Sequence, residues 1–323
     1  ARTGRQFHMT RPRAAWTPPM RNGVSASRVS VAAGPWHTLL EFLTARLPAV
    51  ADEWPQRLAA GDVLNARGQP VSASAPAVSG DLLWYWRSLH AEARVPFEVE
   101  VLHQDDDLLV VDKPHFMNVT PGGRHLQETV LVRLKQQTGI ETLVPVHRLD
   151  YETAGLLMFT VRPEVRGAYH ALLRDRRVHK VYEAVAPWRA DLQLPLTCFH
   201  HLQEKAGDAF MQMEVLPRVP NAQTTVELIQ QFGELAHYRL VPHTGRKHQL
   251  RAQLNALGIP IVGDRIYPHL WPMPAPDAVP DYSQPLQLLA RELVFEDPIT
   301  GHERRFFSQR KLALVDAMVD ALG

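Results

Sequence analysis

Apolar positions recur at helical spacing near the start of the chain and at strand spacing through most of the rest. Leu39, Leu40, Leu43 and Leu47 fall on one helical face with Phe42 at its edge, and a second helical run covers Trp54 to Leu58. Gly61-Asp62-Val63-Leu64 leads into Gly68-Gln69, a hairpin turn signal, and Gly80-Asp81 precedes the apolar run Leu82 to Trp86, which reads as a closing strand. From about residue 96 strands dominate. Glu98 to Leu102 and Leu108 to Val111 read as strands on either side of the polar turn Asp105-Asp106-Asp107, and Lys113-Pro114 stops the second. Residues 126–137, with Leu126, Val130, Leu131 and Leu134 on one face, and residues 164–175 predict helices. Lys180 to Val185 alternates like a strand, while residues 190–222 show no clear period and are expected to be an irregular insertion. Residues 224–230 and 235–241 predict a strand pair, 247–257 a helix, 285–296 a strand and 309–322 a terminal helix. Strands outnumber helices and few alternate strictly with them, so the fold class is α+β and not doubly wound.

At 323 residues the chain has room for one large domain and a small one. Residues 1–34 hold Arg2, Arg5, Arg11, Arg13, Arg21 and Arg28 and no acid, among prolines and small residues that break any period. They are expected to form a basic N-terminal arm, mobile at least in its first half, that either touches nucleic-acid phosphates or is a solvated tail. Residues 35–88 read as a small module and residues 89–323 as the large domain. The net charge of +1 excludes binding of nucleic acid through bulk charge, so any attraction to phosphate has to come from local patches. The single cysteine, Cys198, excludes an intrachain disulfide and a cysteine-based zinc site, and points to a reducing, cytoplasmic compartment. No apolar run is long enough to span a bilayer, and the N-terminus lacks the apolar core and cleavage site of a signal peptide, so no membrane association is expected. Because the first residue is Ala1, Met9 and Met20 both stand as candidate biological starts.

The candidate chemistry centres on Asp150. It lies between the strand-like Leu143-Val144-Pro145-Val146 and the apolar run Leu156-Leu157-Met158-Phe159. A charged group at the mouth of a sheet is a place for chemistry, although an Asp at a strand end is also a common turn or cap residue. Asp105, Asp106 and Asp107 invite a metal, but neighbours on a strand face opposite sides and rarely form one cage. There are 16 histidines, yet no His-Glu-x-x-His occurs, and His243 and His248 are separated across a turn; no metal site is expected. Arg162, Arg166, Arg174, Arg176, Arg177 and Lys180 form the densest basic cluster, extended by Arg246, Lys247 and Arg251 if the sheet gathers these segments. The cluster suits phosphates, or is an ordinary charged helix face given Glu164 and Asp175 nearby.

Residues 147–156, His-Arg-Leu-Asp-Tyr-Glu-Thr-Ala-Gly-Leu, resemble the catalytic signature of RluA-type RNA pseudouridine synthases, His-Arg-Leu-Asp-x-x-Thr-Ser-Gly-Leu. Three further segments are similar to that family in the same order. They are residues 105–114, ending in Lys113-Pro114; Lys180-Val181-Tyr182-Glu183-Ala184; and Thr244-Gly245-Arg246-Lys247-His248-Gln249-Leu250-Arg251, with the tail from Leu257 through Gly263-Asp264 to Tyr267. Departures are Ala154 for the usual Ser, Gln253 for a frequent His, and Leu289 for the His of a Leu-His-Ala strand; they suggest an outlying subgroup. The resemblance implies a catalytic domain with a central mixed, largely antiparallel sheet. The helix, helix, hairpin, strand order of residues 35–88 resembles an S4 RNA-binding module, a degenerate one whose basic residues are few, chiefly Arg46, Arg57 and Arg67.

The implied activity is isomerisation of specific uridines in ribosomal or transfer RNA by a monomer, without cofactor, metal or obligate protein partner. Asp150 is implied as the catalytic carboxylate and Arg246 as the ion partner that keeps it charged. Tyr182 is implied to stack on the uracil and assist proton transfer, Leu250 to pack against the base, and Arg148 to fill the space it vacates. Lys180 is expected to contact the RNA through the basic cluster, and His147 to be a structural hydrogen-bonder. Two rivals are a non-catalytic RNA-binding or RNA-folding protein on the same scaffold, and a glycoside hydrolase or nucleosidase. The latter needs two carboxylates, one of them to handle water, and a single strongly marked aspartate favours isomerisation.

Overall fold

The computed structural model describes residues 16–87, 92–207, 211–275 and 277–321. Contacts divide the chain into two compact units after Glu92. The first half of the basic arm lies outside the described residues.

The first unit contains β1 (Ser27–Ser30), α1 (Leu39–Arg46), α2 (Trp54–Ala59), β2 (Val63–Asn65) and β3 (Leu82–Tyr85). Its antiparallel sheet has the order β1-β3-β2. Thr38 opens α1 with a capping box: its side chain accepts from the Glu41 backbone, and the Glu41 carboxylate accepts from the backbone of Thr38. Phe42, Leu43, Trp54, Leu58, Val63 and Leu83 form the core beneath the helices. In the second half of the arm, residues 27–30 form a strand on β3. Val29 and Val31 alternate with polar neighbours there, and Arg21 stacks on Trp86 at 3.6 Å while pairing with Asp62 at 2.6 Å.

The second unit runs β4 (Glu100–Gln104), β5 (Leu108–Lys113), α3 (Val130–Thr138), β6 (Val144–Pro145), β7 (Ala154–Thr160), α4 (Arg166–Arg174), β8 (His179–Pro187), β9 (Leu196–Glu204), β10 (Met213–Leu216), β11 (Ala222–Phe232), β12 (Leu235–Pro242), α5 (Gln249–Ala256), β13 (Leu288–Glu296), β14 (Glu303–Phe307) and α6 (Ala313–Asp320). One 11-stranded sheet carries the order β10-β9-β11-β12-β8-β13-β7-β5-β4, with β14 on β13 and β6 on β7. Its β13–β7 pair is parallel and the other pairs are antiparallel, which makes the fold α+β with a mixed, largely antiparallel sheet.

Burial on both faces explains why β5 and β7 read as continuous apolar runs. Leu109, Val111, Leu157 and Phe159 point to a core shared with Val130 and Leu134 of α3. Leu108, Val110, Leu156 and Met158 point to the opposite core, shared with Tyr169 and Leu172 of α4. A third core joins Ala184, Tyr238 and Leu240 of the sheet to Leu250 and Leu254 of α5.

The expected irregular insertion at 190–222 is corrected by β9 and β10. β9 buries only Cys198 and Leu202 and leaves Phe199 56% exposed, so its apolar period is diluted by histidines and by an outward aromatic. Helix α3 begins at Val130, four residues later than the periodicity suggests, because the Thr129 side chain caps it by accepting from Val132 N. Among the described residues no helix is long and apolar enough to cross a membrane.

Candidate active site

Asp150 sits on the loop that carries the chain from β6 into β7. The sheet register lays out the floor beside that loop. Lys113 pairs with Gly155, Gly155 with Ala290, Ala290 with Tyr182 and Tyr182 with Leu240, so these residues form one cross-strand row. Two of them, Gly155 and Ala290, have little or no side chain. Gly155 also has φ +115°, and a Cβ built on it falls 2.3 Å from the Ala290 carbonyl oxygen. Only glycine therefore permits β7 and β13 to meet in parallel just past the Asp150 loop. The same logic fixes the end of the tail motif: a Cβ on Gly263 falls 2.4 Å from the Pro285 carbonyl oxygen, and Gly263 delivers Asp264.

The loop is pinned from below by Lys113, whose side chain is fully buried. Its Nζ donates to the carbonyls of Pro114 at 2.9 Å, Met117 at 2.7 Å and Tyr151 at 3.2 Å. Burial pulls its pKa down to about 7, against the pull of the Glu152 and Asp150 charges. Three carbonyls match the three protons of an ammonium, so this seat suits the charged form. His115 adds a second tie through Nδ1, which donates to the Glu152 carbonyl at 2.7 Å.

The cation beside Asp150 is Arg251, on α5, and not Arg246. Nη1 of Arg251 donates to Oδ2 of Asp150 and to Oε2 of Glu152, both at 3.2 Å. Its Nε and Nη2 grip Asp264 in a two-pronged bond of 2.9 and 2.7 Å. The Arg251 side chain is 1% exposed. Burial alone would lower its pKa, but Asp264, Glu152 and Asp150 raise it overall, and it stays charged. Asp264 is anchored in turn by the backbone N–H groups of Ile266 and Tyr267. Glu152 and Asp264 are 13% and 1% exposed at the side chain, whereas Asp150 is 29% exposed, which makes Asp150 the open carboxylate of the three.

Arg246 is placed elsewhere. It is exposed on the turn before α5, and its Nε donates to the Asn221 carbonyl at 3.2 Å. The physical reason is position: Arg246 precedes the helix, whereas Arg251 lies within a helical stretch, Gln249–Leu254, that is buried at every position. Gln249 and Gln253 are polar yet buried, so no apolar run in the sequence marks Arg251 as the inward arginine. The turn itself is bound to the sheet by Gln249, which accepts from Thr244 Oγ1 and Arg246 N and donates to Gln223 O and Thr224 Oγ1.

The other site residues fall as follows. Tyr182 packs against two of the cores, and burial together with the Asp150 charge keeps its phenol protonated, its pKa well above the ordinary value. Leu250 is buried in the core beside it. Lys180 brings its amine against the turn, 3.7 Å from where a Gly245 Cβ would stand, and burial lowers its pKa. Arg148 is exposed. His147 accepts at Nε2 from the Met158 backbone N–H at 3.2 Å, and burial lowers its pKa to about 3, so it is neutral. His248, considered in the sequence only within its motif and as a metal candidate with His243, places its Nε2 3.9 Å from Oδ1 of Asp150. It adopts φ 51°, a left-handed conformation in which a non-glycine residue carries a cost of about 1–2 kcal/mol.

Several charges drawn into the sequence reading are occupied in the structure. Asp105 accepts from the backbones of Asp107 and Leu108 and from Arg304, and Asp107 pairs with Arg162. Arg174 pairs with its neighbour Asp175 at 2.9 Å. The substituted position Gln253 is a buried hub that accepts from Thr224 Oγ1 at 2.6 Å and donates to the Ala222 carbonyl.

Residues 107–256 match the RNA pseudouridylate synthase family. An RNA pseudouridine synthase of Synechocystis is 32% identical over 234 residues, covering 71% of this chain and 79% of that protein. The dual-specificity RNA pseudouridine synthase RluA of Pasteurella multocida is 32% identical over 62% of this chain and 89% of its own length. The chain belongs to the RluA-type family of RNA pseudouridine synthases. Among solved structures, human RNA pseudouridylate synthase domain containing 4 has a TM-score of 0.50 at 26% identity, covering 68% of this chain and 90% of that one. As a member of this family the protein is an isomerase that acts on RNA. The family match takes in Asp150, Tyr182 and Arg251 and leaves the first unit outside it.

Proposed function

We propose that this pseudouridine synthase converts specific uridines of structured RNA, ribosomal or transfer, with Asp150 as its single catalytic carboxylate. The observation that carries the reading is the Arg251 clamp: one buried guanidinium holds Asp150, Glu152 and Asp264 together and leaves Asp150 the open member. Cleavage of N1–C1′ loads positive charge on the ribose. An anion beside C1′ stabilises that charge; it can add to C1′ and be displaced when C5 bonds there, or take a proton from C2′ and return it as C5 bonds to C1′. The freed uracil turns, C5 bonds to C1′, the C5 hydrogen leaves and N1 gains a proton, so atoms balance. Water has to be kept out, or the base is lost.

In this reading Tyr182 offers its ring to the turned base and, with its hydroxyl protonated, a hydrogen-bond donor near Asp150. Leu250 supplies the apolar contact behind it. Arg148, exposed on the Asp150 loop, takes the space left by the extruded nucleotide, and Lys180 meets a phosphate at the Gly245 turn. Arg246 changes role from ion partner to a surface cation at the same turn. Residues 35–88 keep the reading of an S4-like module with little basic charge, and the reaction is placed in the cytoplasm of a monomer. The test is tritium release from RNA transcripts labelled at uracil C5, incubated with purified protein. Release matched by a mass-neutral nucleoside product is expected; free uracil in place of pseudouridine would mean hydrolysis and overturn the reading.

A further inference from the structure

The contacts around Tyr267 favour one position for the proton on His248. A backbone N–H only donates, so the Tyr267 oxygen accepts from Met213 N at 2.6 Å. The hydroxyl keeps one proton to give, and Nδ1 of His248 lies 3.2 Å away. With that proton directed at Nδ1 the nitrogen is the acceptor, and a neutral imidazole with an accepting Nδ1 carries its hydrogen on Nε2. The opposite tautomer would crowd two N–H groups onto the phenol oxygen and turn the Nε2 lone pair toward a carboxylate. Nε2 faces Oδ1 of Asp150 at 3.9 Å, the oxygen that Arg251 does not hold, since Nη1 of Arg251 donates to Oδ2.

We propose that Tyr267 and His248 form a relay that fixes the Nε2–H tautomer and aims that N–H at Oδ1 of Asp150, making His248 a positioning residue for the catalytic carboxylate. The proposal rests on the role given to Asp150 above. At 3.9 Å the N–H orients the carboxylate without occupying it, because a made bond is shorter, about 2.7–3.2 Å. A neutral donor also leaves the carboxylate its full charge for the sugar. An imidazolium would instead pair with Oδ1 and block it. The groups that face His248 are Asp150 and Glu152 from the loop before β7, Lys247 and Arg251 on its own segment, Glu204 of β9, itself paired with Lys247, and Tyr267 behind it. Burial lowers the pKa of His248, in keeping with the neutral form.

Long-range proton–nitrogen correlation on the intact, nitrogen-labelled protein at neutral pH reads the tautomer directly, with H248Q to assign the signals. The Nε2–H pattern is expected. In Y267F the Nδ1 acceptor loses its donor; the pattern should shift toward Nδ1–H, and kcat should fall about five- to tenfold, one hydrogen bond's effect, with KM unchanged. H248Q, whose amide N–H stands in for Nε2–H, should retain more kcat than H248A. An Nδ1–H or doubly protonated ring in the unmodified protein overturns the relay, as does a Y267F variant with tautomer and kcat unchanged, or H248Q no better than H248A. The tautomer is read without RNA and on the unmodified protein, H248Q serving only to assign its signals. It therefore stands or falls separately from the role of Asp150, which substitution of that aspartate addresses.

Discussion

Arg246 and Arg251 are five positions apart and have opposite fates. Arg251 compensates three carboxylates in a buried site, and removing one member of a buried ion pair typically costs about 3–5 kcal/mol. Arg251→Met should therefore lower the urea midpoint sharply, while Arg246→Ala should change stability by less than about 0.5 kcal/mol; equal effects would show that the clamp is misassigned. Histidines add a pH dependence. Burial lowers His147 to about 3 and His115 to about 4, from an ordinary 6.5. Between those values the unfolded chain binds protons that the folded protein does not. Stability is therefore lost as pH falls from about 6.5 toward 4, by up to about 1.4 kcal/mol per pH unit for each such histidine. Urea titrations across that window should slope accordingly, and His147→Gln should flatten the slope; an unchanged slope would mean that His147 is not held neutral. The place of Asp150 between two sheet strands was legible from its flanking apolar runs. Its partner was not, because motif spacing does not say which of two arginines enters a helix face.

At the scale of elements, two glycines decide the geometry. Gly155 lets β7 and β13 meet, and the row from Lys113 to Tyr182 exists only because that pairing forms. Gly155→Ala combines an unfavourable φ with contact against backbone, which no side-chain rotation relieves. It should destabilise the protein by more than about 4 kcal/mol, seen as loss of cooperative thermal unfolding; a melting profile like that of the unmodified protein would contradict the close approach. The buried strands β5 and β7 were readable as apolar runs, and β11 with β12 as an alternating pair. β9 was not readable, because an exposed Phe199 and paired histidines hide a strand with only one buried face. Nor was β1, where the alternation is short and set among small residues.

The whole molecule shows why bulk properties said little about function. A net charge of +1 hides a strongly ordered interior arrangement in which cations and carboxylates are matched one site at a time. Two arginines of the basic cluster are likewise paired, Arg162 with Asp107 and Arg174 with Asp175. Family membership was legible because its motif residues are the ones the fold cannot replace: Gly155 at the strand contact, Gln249 at the turn, and Asp264 in the clamp. The target uridine was not, because it depends on surface loops that have no such constraint.

In the proposed reaction Asp150, oriented by Arg251, performs the chemistry. Single-turnover conversion of a bound RNA by Asp150→Asn, with RNA affinity measured on the same preparation, decides this role. Conversion should disappear while affinity stays within about threefold of the unmodified enzyme, since the change removes a charge but little volume. Pseudouridine formed by Asp150→Asn at a rate near that of the unmodified enzyme would contradict the account.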